Sequence, residues 1–314
     1  MTKLFVFTSV LALTSTMAMA QTPGATGRDA LTTRPGTELN LSVQHYDYTE
    51  PAVNVSMHAP KIGAEYVGTF SVNQRHRWFA QLSARGTGFV TNYDGQCRPW
   101  LIVPDSTFAN GYRLTVGAPS PCSESGDVDW YAEGRLLTGK DFVGRTWAFS
   151  PFAGAGVRHL SNGTTGHFNY RTQGYLYVPL GATVRTTAIA GRVLSVTMEY
   201  DHLLRGWNTT RNSLLTGGTV PATSTAPAFT IGDFTNLSFT QHRGWAVRAS
   251  ASYRLSRSWS IEPYYIRWRV SDSPISDGSV AYTVNGITAR RTLGYYEPLN
   301  FTKEFGVKIG LKLR

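Results

Sequence analysis

The side chains of this sequence that could carry out chemistry are few. Asp127 and Asp129 lie two residues apart, which places both carboxylates on one face of an extended strand. Asp201 is followed directly by His202, and an acid can polarise a histidine so that it activates water or a nucleophile. Adjacent strand residues face opposite sides, so Asp201 and His202 cannot both face one cavity. We therefore expect no catalytic residues, and surface hydrolysis is kept as an alternative.

Metal and cofactor sites find little support. His45, Asp47 and His58 could hold a metal near the first loop, but isolated histidines are more often surface residues. Cys97 and Cys122 are the two cysteines; they have no CxxC spacing and no neighbouring histidine, so a zinc site is not indicated. We expect no metal and no cofactor. In an oxidising compartment we expect the two cysteines to form a disulfide.

The first twenty residues have the layout of a secretory signal peptide. Lys3 supplies a positive charge, residues 4–13 are apolar, and Ala18 and Ala20 are small residues at a cleavage position. The apolar run is too short to span a bilayer. We expect cleavage after Ala20, which leaves residues 21–36 as a periplasmic N-terminal segment.

The rest of the chain alternates apolar and polar residues with a period of two, which is typical of strands with two different faces. Ten such runs occur, each about as long as a tilted strand needs to cross a bilayer. They cover residues 37–50, 59–72, 77–91, 127–138, 145–160, 170–185, 191–205, 242–256, 258–270 and 301–314.

The connections between the runs alternate between short and longer, and the longest are 92–126, 206–241 and 271–300. Transmembrane barrels have short periplasmic turns and long extracellular loops. A soluble β-sandwich would also alternate, but nothing in it would sort its connections in this way. We predict an all-β, antiparallel, up-and-down barrel of about ten strands in the outer membrane, over residues 37–314.

Five tryptophans lie at the ends of these runs, where a transmembrane barrel carries its aromatic girdles. They are Trp78, Trp130, Trp147, Trp245 and Trp259.

The inward positions carry nearly balanced charge, although the whole chain has a net charge of +10. Buried charges are tolerated when they are paired, so we predict a lumen filled by ion pairs. A barrel of this size has no wide pore. The inward acids are Glu38, Glu65, Asp129, Glu133, Glu199, Asp201, Glu262 and Glu304. The inward bases are Lys61, Arg85, Arg135, Arg158, Arg185, Arg248, Arg254, Lys308 and Lys312.

Four segments together resemble an uncharacterised family of Gram-negative outer-membrane β-barrel proteins of the porin-like and OmpA-like type. They are SPFAGAGVRHL (150–160), GYLYVPLGATV (174–184), MEYDHLLRGW (198–207) and YYEPLNFTKEFGVKIGLKL (295–313). The resemblance implies an outer-membrane barrel with no established activity. The acids and the Asp201–His202 pair also resemble ingredients of the omptin proteases, in which one residue separates the pair. Pro179 and Pro263 lie within strands, where we expect a bulge or a local break.

These observations favour a monomeric cell-envelope protein with a surface-binding or structural role. The expected partners are outer-membrane lipid, lipopolysaccharide and the barrel insertion machinery, because basic residues outside the wall can meet phosphates. Export excludes nucleic acid as a partner. A narrow channel for small solutes and an omptin-like surface protease are the alternatives.

Overall fold

A computed structural model describes residues 30–162, 171–187 and 192–313 of the chain. The predicted signal peptide and its cleavage site lie outside these residues. Strands form most of what is described, and no helix there is long or apolar enough to cross a bilayer.

Ten of the strands form the wall of a barrel. They are β1 (Gly36–Glu50), β2 (Val55–Asn73), β3 (Trp78–Cys97), β6 (Ser120–Lys140), β8 (Trp147–Asn162), β9 (Arg171–Thr187), β10 (Val193–Thr210), β14 (Gly244–Arg254), β15 (Trp259–Val270) and β18 (Asn300–Leu313). The shorter strands are β4 (Trp100–Pro104), β5 (Tyr112–Val116), β7 (Phe142–Val143), β11 (Thr219–Val220), β12 (Phe229–Phe234), β13 (Leu237–Gln241), β16 (Ser276–Val284) and β17 (Ile287–Tyr295). Single 3₁₀ turns lie at Pro51–Val53 and Asn212–Leu215.

Each wall strand pairs antiparallel with the wall strands before and after it in the chain. The sheet closes because β1 also pairs with β18, from Thr37 opposite Leu313 to Thr49 opposite Phe301. Closure gives every wall strand a paired neighbour on both sides, which is what a sheet in lipid requires. The predicted ten-stranded antiparallel barrel is therefore confirmed, with one wall strand for each periodic run.

Several strands are longer than predicted at their external ends. The third connection is residues 98–119 rather than 92–126, because β3 and β6 stay paired up to Cys97 and Ser120. The first connection shrinks to residues 51–54, since β2 begins at Val55. Above the bilayer neither lipid nor a polar lumen enforces alternation, so the sequence pattern fades while backbone pairing continues.

Two cysteines bridge the extended β3–β6 pair. Cys97 and Cys122 form a disulfide with a Cα–Cα distance of 5.7 Å, which confirms the predicted bond. It lies at the base of the third connection and so fastens that loop to the wall.

Proline interrupts the ladder at both predicted places. Strand β9 has no partner on β8 at Val178 and Pro179, and β15 has no partner on β14 at Glu262 and Pro263. The register is the same on both sides of each gap, so the breaks are local.

The long external connections fold together into what we call the loop domain, residues 98–119, 211–243 and 271–299. Strands β11, β12, β16 and β17 form one sheet, and β4 and β5 form a hairpin beside it. The loop domain has its own apolar core. Its buried side chains include Ile102, Leu114, Phe229, Ile231, Phe234, Val280, Tyr282 and Val284.

Candidate functional site: the charged lumen and its two mouths

The wall strands separate apolar side chains from polar ones. On β1, Leu41 is 70% exposed and Val43 is 64% exposed, whereas Ser42 and Gln44 between them are buried. The same alternation recurs on β18, where Ile309 is exposed and Glu304 is fully buried. The outer surface is therefore apolar and the lumen is polar.

The five tryptophans lie on the outer surface. Trp78, Trp147 and Trp259 are the first residues of β3, β8 and β15, next to short turns, and all three are exposed. Trp245 follows the start of β14, beside the loop domain. Trp130 lies midway along β6 because that strand projects beyond the bilayer, and its ring is 5.6 Å from that of His159. A girdle role for the five remains a prediction.

Glu304 is the centre of a fully buried cluster in the lumen. Its carboxylate accepts hydrogen bonds from Arg158 (2.9 Å), Tyr131 (2.6 Å) and Gln44 (3.3 Å). Arg85 lies 3.6 Å from the same carboxylate and donates to the Gln44 side-chain oxygen. The wall strands that supply these residues are distant in sequence, so the cluster ties the barrel together across its interior.

A second cluster surrounds Arg248 on β14. Its guanidinium donates to Glu133 at 2.6 and 3.0 Å and to Asp201 at 2.6 Å, and lies 3.3 Å from Glu199. Arg135 donates to both oxygens of Glu199 at 2.5 Å. Three carboxylates thus share two guanidinium groups.

Two further ion pairs complete the charged interior. Lys308 lies 2.8 Å from Glu65 and 3.4 Å from Glu262. Lys61 lies 3.2 Å from Asp129, and both side chains are completely buried. The acids and bases of the lumen therefore meet in space, although the sequence did not show which partners would pair.

Aromatic rings fill the space between the ion pairs. Trp268 is fully buried, and its ring centre lies 5.1 Å from that of Tyr177 and 5.2 Å from that of Tyr175. Gly156 has no side chain at an inward position; a Cβ there would lie 2.2 Å from the Tyr177 ring. The middle of the lumen is consequently packed with side chains.

The half of the lumen beside the short turns, whose mouth we call periplasmic after the predicted orientation, holds a cavity of about 300 Å³. Residues 30–35, which we call the strap, lie at its mouth. Leu31 is buried against Ala148 of β8 and Val193 of β10, and Thr33 donates two hydrogen bonds of 2.7 Å to Asp141. The chain then enters β1, on the other side of the barrel, so the strap crosses the mouth.

Some predicted lumen charges are not part of the ion-pair clusters. Glu38, Arg254 and Lys312 lie near the periplasmic mouth, and none of them has an ion pair within 4 Å among the described residues. Arg185 lies 3.4 Å from Asp141, an acid that the periodicity did not mark because it follows the end of β6.

The external mouth has an ion cluster that the sequence analysis missed. Arg171 lies 3.1 Å from Glu50 and 3.9 Å from Glu297, and Tyr48 donates to Glu50 at 2.7 Å. Glu297 belongs to the third part of the loop domain, where its backbone N–H donates to Ser273. This cluster joins the loop domain to the wall. No periodic pattern could reveal it, because Glu297 lies between strands.

Glu297 responds to the pH of the surroundings. Burial raises the pKa of its carboxyl to about 8; Arg171 opposes this shift and Glu50 adds to it. In the unfolded chain a Glu has a pKa of about 4.3. A raised folded-state pKa contributes stability that is complete below the unfolded pKa, declines as the pH rises and is lost above the folded pKa.

We therefore expect the segment 271–299 to detach more readily as the pH rises from about 5 to about 9. Protease cleavage at Arg290 and Arg291, corrected for the cleavage rate of an unfolded peptide, measures this. In Glu297→Gln the dependence should flatten, because the amide does not titrate. A steep pH dependence that persists in this variant would show that another group is responsible.

The candidate catalytic pair is split by the wall. Asp201 is completely buried in the lumen, whereas His202 is exposed on the outer surface. The side chain of Asp127 lies outside the described part. Asp129 is already paired with Lys61. The arrangement needed for water activation is therefore not formed by Asp201 and His202.

The candidate metal ligands meet only as pairs with an acid. His45 lies 3.0 Å from Asp47, and His58 lies 3.8 Å from Asp94, all of them partly exposed. In the described residues no three His, Cys, Asp or Glu side chains come together as metal ligands.

A closed barrel with an apolar outer surface and a lumen filled by ion pairs is a β-barrel of the outer-membrane type. No protein-family model and no curated protein sequence matches the chain.

Solved structures of outer-membrane barrels are similar to the chain. Outer membrane protease OmpT from Escherichia coli is 9% identical, covering 90% of this chain and 100% of that one, with a TM-score of 0.45. An outer membrane channel from Pseudomonas putida F1 is 9% identical, covering 91% and 98%, with a TM-score of 0.37. Ail, the attachment invasion locus protein of Yersinia pestis, is 8% identical, covering 90% and 100%, with a TM-score of 0.28.

Proposed function

We propose that this chain is an exported outer-membrane barrel without a through channel, and that its loop domain is a binding surface outside the cell. The observation that carries the proposal is the apolar core of the loop domain. Connections that merely join strands need no core of their own, whereas a binding surface needs a rigid scaffold to hold its shape. The signal peptide and cleavage after Ala20 belong to the same proposal.

The filled lumen supports the absence of a channel. Arg158, Glu304 and Trp268 are all at most 1% exposed, and they lie across the interior from different strands. Ions would have to displace hydrogen-bonded charges to pass. The charged lumen is in this view a structural element that holds the wall together.

Lipopolysaccharide is the partner that we propose for the rim of the barrel. Arg205 on β10 and Arg243, the last residue of the loop domain before β14, are both exposed. Arg291 is unsuited to this role because its guanidinium donates to the backbone oxygen of Leu114 inside the loop domain. Phosphate groups in the outer leaflet would meet the two free arginines.

We expect the protein to give no unit conductance steps in a planar bilayer. A porin recorded in the same bilayer shows that steps would be detected. A matched variant replaces the β16–β17 hairpin, Ser276–Tyr295, with a short Gly-Ser linker. It should also give no conductance steps, because the side chains that fill the lumen are unchanged in it. Conductance steps in both proteins would instead establish a narrow channel. Steps in the trimmed variant alone would show that the loop domain, and not the lumen, prevents ions from passing.

The trimmed variant also tests the binding role. Liposomes carrying the intact protein should be retained on arrays of glycans and extracellular proteins, and liposomes carrying the trimmed variant should not. Equal retention would remove the loop domain as the binding surface.

A further inference from the structure

The periplasmic mouth of the barrel contains positive charges that form no ion pair with any acid among the described residues. Arg34 of the strap, Arg254 of β14 and Lys312 of β18 all line one pocket at this mouth. Their side chains are all half-buried. None of them has a carboxylate within 4 Å in the part of the chain that the structure describes. Elsewhere in the lumen every guanidinium that is at least nine-tenths buried lies beside an acid.

The acids near this space are few or already engaged. Glu38 lies opposite Lys312 in the strand register but makes no ion pair with it. Asp141 accepts hydrogen bonds from Thr33 and Ser150 and pairs with Arg185. Arg257 also lines this space, so among the described residues four cations face one free carboxylate, which is a local excess of three positive charges.

The neighbouring acids Glu65 and Glu262 do not remove this excess. Both are held by Lys308, one level further into the lumen, at 2.8 and 3.4 Å. The positive charge is therefore confined to the mouth. Partial burial strengthens its electrostatic effect, because fewer water molecules screen it.

The charged form of Arg34 is disfavoured at this position in the strap. Burial and the nearby Arg257 both lower the pKa of Arg34. Like charges held together in a half-buried space destabilise a protein unless an opposite charge joins them. The strap is nevertheless fastened with Arg34 in this position, through Thr33 and Asp141.

We propose that the periplasmic mouth binds a small solute that carries a phosphate dianion. A phosphate carries about two negative charges and so offsets most of the local excess, and guanidinium groups suit its oxygens because they donate in a planar fork. Ser260 and Thr69 line the same pocket, Ser252 lines the cavity, and all three offer hydroxyl donors. The proposal concerns the opposite end of the molecule from the loop domain and does not depend on the function proposed above.

The size of the space limits the ligand. The pocket that Arg34, Arg254 and Lys312 share has a volume of about 150 Å³. Arg34 and Lys312 also line the cavity of about 300 Å³, a volume at the lower end of what small-molecule pockets have. The site therefore accommodates a phosphate with a small organic group and excludes a folded macromolecule. Phospholipid headgroups carry the same chemistry, but these side chains line the lumen rather than the lipid-facing surface.

The test measures binding of inorganic phosphate to the full-length protein by isothermal titration calorimetry. The detergent has an uncharged sugar headgroup, so that it brings no phosphate of its own. The test variant is Arg254→Gln with Lys312→Gln, and the control is Arg290→Gln, an exposed loop arginine that pairs with Asp233. Heat-modifiable gel mobility confirms that each protein is folded.

We expect the parent and the control to bind phosphate with equal affinity, and the double variant to bind about tenfold more weakly or worse. Acetate should bind the parent more weakly than phosphate, since it carries one charge. Equal affinity in all three proteins, or no binding to the parent, overturns the proposal. If the double variant is unfolded, Arg34→Gln, whose side chain pairs with no acid, is tested by the same criteria.

A second arm separates the two sources of phosphate. The parent is placed in nanodiscs made either of phosphatidylcholine or of phosphatidylcholine with phosphatidylglycerol. Binding of inorganic phosphate should be the same in both. Loss of binding in the anionic nanodiscs would assign the cations to lipid headgroups and overturn the soluble ligand.

Discussion

Replacing Arg248 with methionine should destabilise the folded barrel by about 3–5 kcal/mol, the usual cost of leaving buried carboxylates without their cation. Arg248 contacts Glu133, Glu199 and Asp201 at 2.6–3.3 Å. Only Glu199 has a second guanidinium, that of Arg135, so Glu133 and Asp201 would be left without their nearest cation. Methionine fills much of the volume, and the loss is therefore mainly electrostatic.

The free energy of unfolding is measured by urea titration of the protein in lipid vesicles, followed by tryptophan fluorescence. The matched control is Arg290→Met, which breaks an exposed pair with Asp233 at 3.3 Å. Exposed pairs contribute about 0–1 kcal/mol, so the control should remain close to the parent. A loss of less than about 1 kcal/mol in Arg248→Met would show that water reaches these carboxylates and that the lumen is not closed at this level.

The barrel could be predicted from the sequence because every wall strand that crosses the bilayer must alternate apolar and polar side chains. An outward side chain meets hydrocarbon and an inward one meets charge, so a period of two persists for the length of a crossing. On β18, Phe305, Val307 and Ile309 face outward while Glu304 and Lys308 face inward. Nothing comparable constrains the strand ends above the membrane, which is why β3 and β6 proved longer than predicted.

The partners within the lumen could not be read in this way. Gln44 and Glu304 are 260 residues apart and meet because β1 closes the barrel against β18. Alternation predicts whether a side chain faces the lumen or the outer surface. It predicts neither the position of that side chain along the barrel axis nor its partner across the lumen. Arg254 has the same parity as Arg248, yet one lies at the open mouth and the other in the buried cluster.

The residues that sequence reasoning missed lie outside the periodic runs. Asp141, Glu297 and the strap carry no alternating pattern, since each belongs to a connection or a terminus. Their roles depend on tertiary contacts: Asp141 holds Thr33, and Glu297 joins the loop domain to Arg171. The apolar core of the loop domain is hidden for the same reason, because its strands are short and come from three separate connections.

The buried pair of Lys61 and Asp129 predicts a loss of stability that a second substitution restores. Both side chains are fully buried, their charged atoms lie 3.2 Å apart, and the Lys61 ammonium also lies 3.4 Å above the Tyr46 ring. Lys61→Met leaves the Asp129 carboxylate fully buried without its nearest cation. We expect it to cost about 3–5 kcal/mol of unfolding free energy.

Lys61→Met combined with Asp129→Leu removes both charges and keeps a similar volume. Burying two charges is itself expensive, so the double variant should return to within about 1 kcal/mol of the parent or exceed it. Asp129→Leu alone, which leaves Lys61 unpaired, should be as damaging as Lys61→Met, and the four proteins form a double-mutant cycle in the same urea titration. If the double variant is instead several kcal/mol less stable than the parent, the attraction within the pair exceeds its cost of burial. The ion pairs of the lumen would then be a net source of stability, rather than a charged interior that is tolerated because every charge has a partner.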